Sequence, residues 1–228
     1  DKERGVLLSE WRTRNTVRFR TFRHHMEFLF PESLLGRRHP IGTKDVIRNA
    51  PRQRFVDFYQ RWYVPTRAVL VIVGTVTPEH VTPMIKKHFA GMKPAATPPA
   101  RPDLGQLAAS GMTATLHTEP EAPAVNVAIE SVRPYTGPAD GRQTRIDNLH
   151  RQMAHTIINR RLRQRATEED APFNRGAAYA HDWFEFATTA SINLTCTPDT
   201  WRGALAVADE ELRRALRYGF TTPEIEVE

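Results

Sequence analysis

Cysteine is nearly absent: Cys196 is the only one in 228 residues. A disulfide framework is thereby excluded, and a thiolate metal centre is not expected. Histidine occurs nine times. Neither H-E-x-x-H nor its inversion H-x-x-E-H occurs, so both helical zinc signatures are missing. No glycine-rich loop is placed to cradle a phosphate, and no G-x-S-x-G offers a nucleophile elbow. No apolar run is long enough to span a membrane. A starting methionine is missing too, because Asp1 opens inside a helical pattern. At the other end, Thr222-Pro223-Glu224 begins a helix in which the sequence stops. These two features lead us to expect an internal segment of a longer protein.

What is present describes a folded chain. Hydrophobic residues make up 40% and charged residues 25%, enough to bury a core. The formal charge of +6 raises nucleic acid or an anionic surface as partners. The basic residues, among them Arg12, Arg14, Arg18, Arg160, Arg161 and Arg163, are instead scattered near acids, as on solvated helix faces. Arg18-Phe19-Arg20-Thr21-Phe22-Arg23 interleaves basic and aromatic residues. Alternating residues do not share a helix face, so these rings make no stacking platform. No nucleic-acid partner is expected. The histidines do not assemble either: His24 and His25 beside Glu27 lack ligand spacing, and His150 and His155 point to different helix faces. Cys196, in an alternating apolar stretch, reads as a buried and inert thiol.

Apolar periodicity predicts helices over 2–30, broken near Asn15 and ended by Pro31. Thr43 caps a short helical turn, and further helices follow over 52–62 and 77–90. Residues 68–73, Ala-Val-Leu-Val-Ile-Val before Gly74, form a continuous β-branched run that predicts a strand buried on both faces. Residues 94–111 carry Pro94, Pro98, Pro99 and Pro102 without periodicity and form the expected linker. Beyond it, 112–117 and 125–132 alternate as half-buried strands do. A long helix over 141–166, a strand pair over 177–183 and 186–196 turning near Phe184-Glu185, and a helix ending at Gly219 complete the chain. The fold class is α+β, with helices packed on mainly antiparallel sheets.

Glu3 and Glu10 lie seven residues apart on the first predicted helix, hence on one face about 10 Å apart along the axis. Spacing alone fits a solvated acidic stripe as well as a site. Their surroundings are more informative. Glu3-Arg4-Gly5-Val6-Leu7-Leu8-Ser9-Glu10 resembles the E-R-x-V-x-x-E segment of the pitrilysin/insulinase family of zinc metallopeptidases. Leu29-Phe30-Pro31, Pro40-Ile41-Gly42-Thr43 and Phe58-Tyr59-x-x-Trp62-Tyr63-x-Pro65 resemble further family segments in the same order. The strand-like run ending at Gly74 does as well, although Thr75 replaces the usual acid. After the linker, Asn159-Arg160-Arg161-Leu162-Arg163 and Tyr218-Gly219-Phe220-Thr221-x-x-Glu224 resemble the family's second domain. The likeness spans nearly the whole chain and is looser after residue 112.

The resemblance implies two truncated peptidase-like repeats. Residues 1–93 would be the end of a first domain, 94–111 the linker, and 112–228 the start of a second, non-catalytic domain. In that family, zinc sits on two histidines of an H-x-x-E-H helix and a later glutamate. Glu10 falls on that third ligand, and Glu3 on a catalytic acid that supports the site without touching the metal. The two histidine ligands are not in this chain, so zinc is expected in the parent and none in this segment, which alone is expected to be inactive. The implied parent is a metalloendopeptidase acting on peptides or small proteins through a zinc-activated water. The implied partners are the remaining parts of the same polypeptide or a partner subunit. A non-catalytic family member serving as a structural or peptide-binding subunit is the alternative. Bacterial relatives lean towards a periplasmic or secreted location.

Overall fold

The computed structural model describes residues 2–94, 100, 102–108 and 111–227. The chain forms two compact units, one from Asp1–Asn15 and His39–Asp103, the other from Thr16–Arg38 and Leu104–Glu228. This grouping differs from a simple division at the expected linker. Of residues 94–111, 95–99, 101 and 109–110 lie outside the described residues.

The first unit is helical. It contains α1 (Lys2–Arg14) and later helices of the same unit, which follow the second unit's α2 (Val17–Leu29) and α3 (Leu34–Arg37) in the chain. These are α4 (Lys44–Asn49), α5 (Arg52–Trp62), a 3₁₀ turn at Pro65–Arg67, and α6 (Pro78–Phe89). Thr43 caps α4 by accepting from the Val46 amide at 3.3 Å, as the sequence led us to expect. Ile47 and Val64 are the buried apolar side chains of this unit among the described residues.

The predicted strand over 68–73 does not form. These residues are not in a ladder, and Val69 and Val73 are 89% and 91% exposed. An apolar β-branched run has the composition of a buried strand. It becomes one only when neighbouring strands take up its N–H and C=O groups. The first unit has no strand among its described residues.

The second unit is built on a three-stranded antiparallel sheet in the order β1-β3-β2. Its strands are β1 (Val125–Pro134), β2 (Arg175–Trp183) and β3 (Ala187–Cys196). Val125 pairs with Cys196 and Pro134 with Ala187, while Arg175 pairs with Thr195 and Trp183 with Ala187. The β2–β3 hairpin turns through Phe184 and Glu185, both at positive φ, where the sequence placed it. The other expected strand, 112–117, is absent, and Met112 and Leu116 are exposed.

Helices cover the sheet. Ile158 and Leu162 of α7 (Arg142–Arg165) meet Ile192, Leu194 and Cys196 of β3. Ala204, Val207 and Ala208 of α8 (Trp201–Tyr218) join the same core. The Cys196 thiol is buried there, and its pKa is raised by desolvation. Alternate strand residues face opposite sides of the sheet. Accordingly Val125, Val127 and Ile129 join this core, while Glu130 and Val132 approach α2. Met26, Leu29 and Phe30 at the end of α2 form a second cluster with Ala187, Trp183 and Phe186. That burial is why residues 16–38 group with the sheet. Ser33 then caps α3 and bridges to Gly105. Gly105 has φ +86, and a Cβ there would strike the Glu32 carbonyl. The last helix of the described residues is α9 (Thr222–Glu226), opened by a reciprocal Thr221–Glu224 capping box.

Asn159 of α7 fixes this helix to the sheet. Its Oδ1 accepts from the Ala178 amide at 2.6 Å, and its Nδ2 donates to the Ala178 carbonyl at 3.0 Å. Asn159→Ala leaves a buried N–H and C=O without partners and is expected to cost about 2–4 kcal/mol. Asn159→Asp, which sets a carboxylate oxygen against the Ala178 carbonyl where Nδ2 donated, is expected to cost at least as much as the alanine variant. Urea denaturation followed by circular dichroism checks both; an unchanged stability in either variant would discard the paired-bond account.

The candidate metal-ligand helix

Helix α1 carries the two sequence-predicted site residues. Glu3 lies in its first turn and is exposed, and Glu10, two turns on, is half-buried. The structure therefore places both acids on one helix, as their spacing required. Arg14, one turn beyond Glu10, donates to Glu10 Oε1 from Nε at 2.8 Å and from Nη2 at 2.7 Å.

Arg4 holds α1 in place. Its Nη1 donates to the carbonyls of Ile47 at 2.6 Å and Arg48 at 3.0 Å, and its Nη2 donates to the Ala50 carbonyl. These are the last carbonyls of α4, which lack partners within their own helix and favour a cation. The guanidinium also lies 5.7 Å from the Phe55 ring centre, and Lys44 Nζ lies 4.2 Å from that of Trp11. A helix with little apolar surface to bury is thus anchored by charge-assisted bonds.

Glu10 could supply one oxygen to a metal. Zinc needs at least three protein ligands at a catalytic site. Among the described residues no group of three or more His, Cys, Asp or Glu side chains could hold a metal ion. Glu10 by itself falls short of such a set. The histidines go elsewhere. His24 stacks on His117 with ring centres 4.3 Å apart. His25 Nε2 meets Glu130 Oε2 at 3.0 Å. His155 is held below its ordinary pKa by burial first and by Arg151 second.

Sequence reasoning did not recognise the main polar structure of the second unit. Arg161 lies in α7 with 7% of its side chain exposed. It grips Glu224 bidentately, Nε to Oε1 at 2.6 Å and Nη2 to Oε2 at 2.8 Å. Glu211 Oε2 of α8 lies 3.8 Å from Arg161 Nη1. The Arg161 bond holds the Glu224 carboxyl well below the usual carboxylate range, and Thr221 adds to this. The available signal was position: Arg161 falls four residues after Ile157, on the buried side of α7.

The profile of the peptidase M16 inactive domain matches residues 49–227, and the chain belongs to the peptidase M16 family. Glu3 and Glu10 precede the matched span. Among curated relatives, the probable zinc protease PqqL of Escherichia coli is 31% identical over 90 residues, 40% of this chain and 10% of that protein. A zinc protease PQQL-like protein of Arabidopsis thaliana is 28% identical over 174 residues, 76% of this chain and 18% of that protein. The chloroplastic stromal processing peptidase of Arabidopsis thaliana is 38% identical over 76 residues, 33% of this chain and 6% of that protein. The chain thus spans a small part of these relatives.

Among solved structures, the first half of the periplasmic protease PqqL from Escherichia coli superposes with a TM-score of 0.79 at 22% identity. The match covers 100% of this chain and 48% of that one. The ferredoxin protease FusC, solved as a mutant with Arabidopsis ferredoxin, gives 0.83 at 22% identity, covering 100% and 25%. These likenesses establish the fold: α+β, of the peptidase M16 type. No helix among the described residues is long and apolar enough to cross a membrane.

Proposed function

We propose that this chain is part of a zinc metalloendopeptidase and contributes two pieces to it. Residues 1–93 would close a catalytic domain, with Glu10 as the carboxylate ligand of the zinc and Glu3 as a supporting acid. Residues 112–228 would be a non-catalytic domain that walls the substrate space, with 94–111 linking the two. The family match over residues 49–227 carries this reading; the relatives' names as zinc proteases support the metal. Bound zinc would lower the pKa of a water and polarise the scissile carbonyl. The chain's own part would be to present and orient Glu10, through Arg14 at Oε1 and through Arg4, which ties α1 to α4.

The substrates would be peptides or small proteins, as the ferredoxin bound to FusC suggests. Other parts of the same polypeptide or a partner subunit would supply the two histidines. A periplasmic or secreted location follows PqqL, although the chloroplastic peptidases show that the family is not confined there. A non-catalytic structural or peptide-binding role is the second reading, favoured by the matched profile being that of the inactive domain.

Metal analysis and peptide hydrolysis separate the readings. The 228-residue chain is expected to bind no stoichiometric zinc and to cleave nothing. A longer protein containing it is expected to hold one zinc per catalytic site and to lose cleavage on chelation. A longer protein without zinc or cleavage would favour the non-catalytic role.

A further inference from the structure

A cleft of about 410 Å³ opens where β1 ends and α7 begins. Arg133 and Pro134 of β1, the 135–140 loop, Asn148 and Arg151 of α7, and Asp182 and Thr188 of the hairpin line it.

Its charge balance is uneven. Asp140 is neutralised locally, taking Arg145 Nε at 2.8 Å on Oδ1 and Nη2 at 2.7 Å on Oδ2. That pair lowers the Asp140 pKa. Asp182 Oδ1 accepts the Thr188 hydroxyl at 2.6 Å. Arg133 and Arg151 also line the cleft, and neither has an ion pair among the described residues. With Asp140 paired to Arg145, the lining holds two arginines against the one carboxylate of Asp182, and the cleft is net positive. Asn148, three residues before Arg151 on α7, adds an amide to the lining. Guanidinium forks match carboxylates in bidentate geometry.

The geometry points to a binding site for the carboxylate of a peptide, held between Arg133 and Arg151. The choice of a peptide as carrier rests on the peptidase reading above. The carboxylate could be an acidic side chain or a chain terminus, and the chemistry is the same. Binding here would hold a segment of substrate without taking part in its cleavage.

Fluorescence anisotropy on the 228-residue chain tests this without requiring hydrolysis, so it can fail while the peptidase reading stands. Three short labelled peptides serve as probes. The first alternates glutamate and glycine and has an amidated end. The second alternates glutamine and glycine with a free terminal carboxylate. The third is the glutamine peptide amidated. Either of the first two is expected to bind at least about tenfold more tightly than the third, and the pair tells side chain from terminus. R133Q and R151Q are each expected to weaken that binding by about tenfold and their combination to erase the preference. Both side chains are exposed, so unchanged melting is expected of these variants. R145Q provides a second line, because it leaves both binding arginines and releases Asp140 to compete with the ligand; it is expected to weaken binding. Equal affinity for all three peptides, or an acidic preference that survives R133Q/R151Q, overturns the proposal.

Discussion

Replacing Glu224 with alanine is expected to destabilise the later unit by about 3–5 kcal/mol, the cost of leaving a buried charge without its partner. Arg161 is the charge left behind. It is 7% exposed, and its bidentate bonds to Glu224 join α7 to α9. Glu211 on α8 keeps its ion-pair contact at 3.8 Å from Nη1 and offsets part of the loss, but it does not replace the two short bonds to Glu224. The same substitution removes the capping box of α9, which adds to the loss. Replacing Arg161 by methionine together with Glu224 by leucine is expected to recover part of it, because the Arg161 charge is then gone and Glu211 still has Arg214 at 3.5 Å.

The effect has a defined pH sense. The folded-state pKa of Glu224 is depressed, chiefly by Arg161. Its contribution is complete above the ordinary glutamate value of about 4.3 and is lost as pH falls toward the depressed value. The stability gap between wild type and Glu224→Ala should therefore be widest at neutral pH and shrink below about pH 4. Urea denaturation at a series of pH values measures it. A gap that stays constant down to strongly acidic pH would show that the ion pair is not its source.

In the zinc-bearing protein proposed above, Glu10→Gln is expected to lower kcat/KM at least about a hundredfold. Lesser changes to groups around a metal already cost about 10–100-fold in affinity or activity. Zinc content should fall with it, since a neutral amide is a poor ligand for the ion. Glu3→Gln should reduce activity while zinc is retained, because the supporting acid does not touch the metal in this reading. Measuring metal content and kinetics on the same samples separates the two roles. Full zinc and full rate in Glu10→Gln would remove Glu10 from the site.

The amino-acid sequence made the helices and the later sheet readable because each carries its own local signal. The break at Asn15, the Thr43 cap and the Phe184-Glu185 turn are set by neighbours in sequence. Residues 68–73 show where such signals end. Their composition is that of a strand, but strand formation depends on partners that composition cannot supply. The placement of 16–38 was hidden for a related reason: the apolar end of α2 says that Met26, Leu29 and Phe30 will be buried, not that Trp183 and Phe186 will bury them. Glu3 and Glu10 were legible as one helix face. The anchoring of that helix by Arg4 was not, because its acceptors lie more than forty residues away. Arg161 and Glu224 stood among the family-like residues, yet their pairing joins positions 63 apart.

The Asn159 clamp also makes the sheet one-sided. Strand β2 is an edge, and at Ala178 the amide and carbonyl that face away from β3 are already taken by a side chain. An incoming extended peptide would have to displace Asn159 before it could zip along that border. At Ala178 the sheet is thus closed to growth past β2. A single amide side chain in this way gives a symmetric-looking ladder a direction.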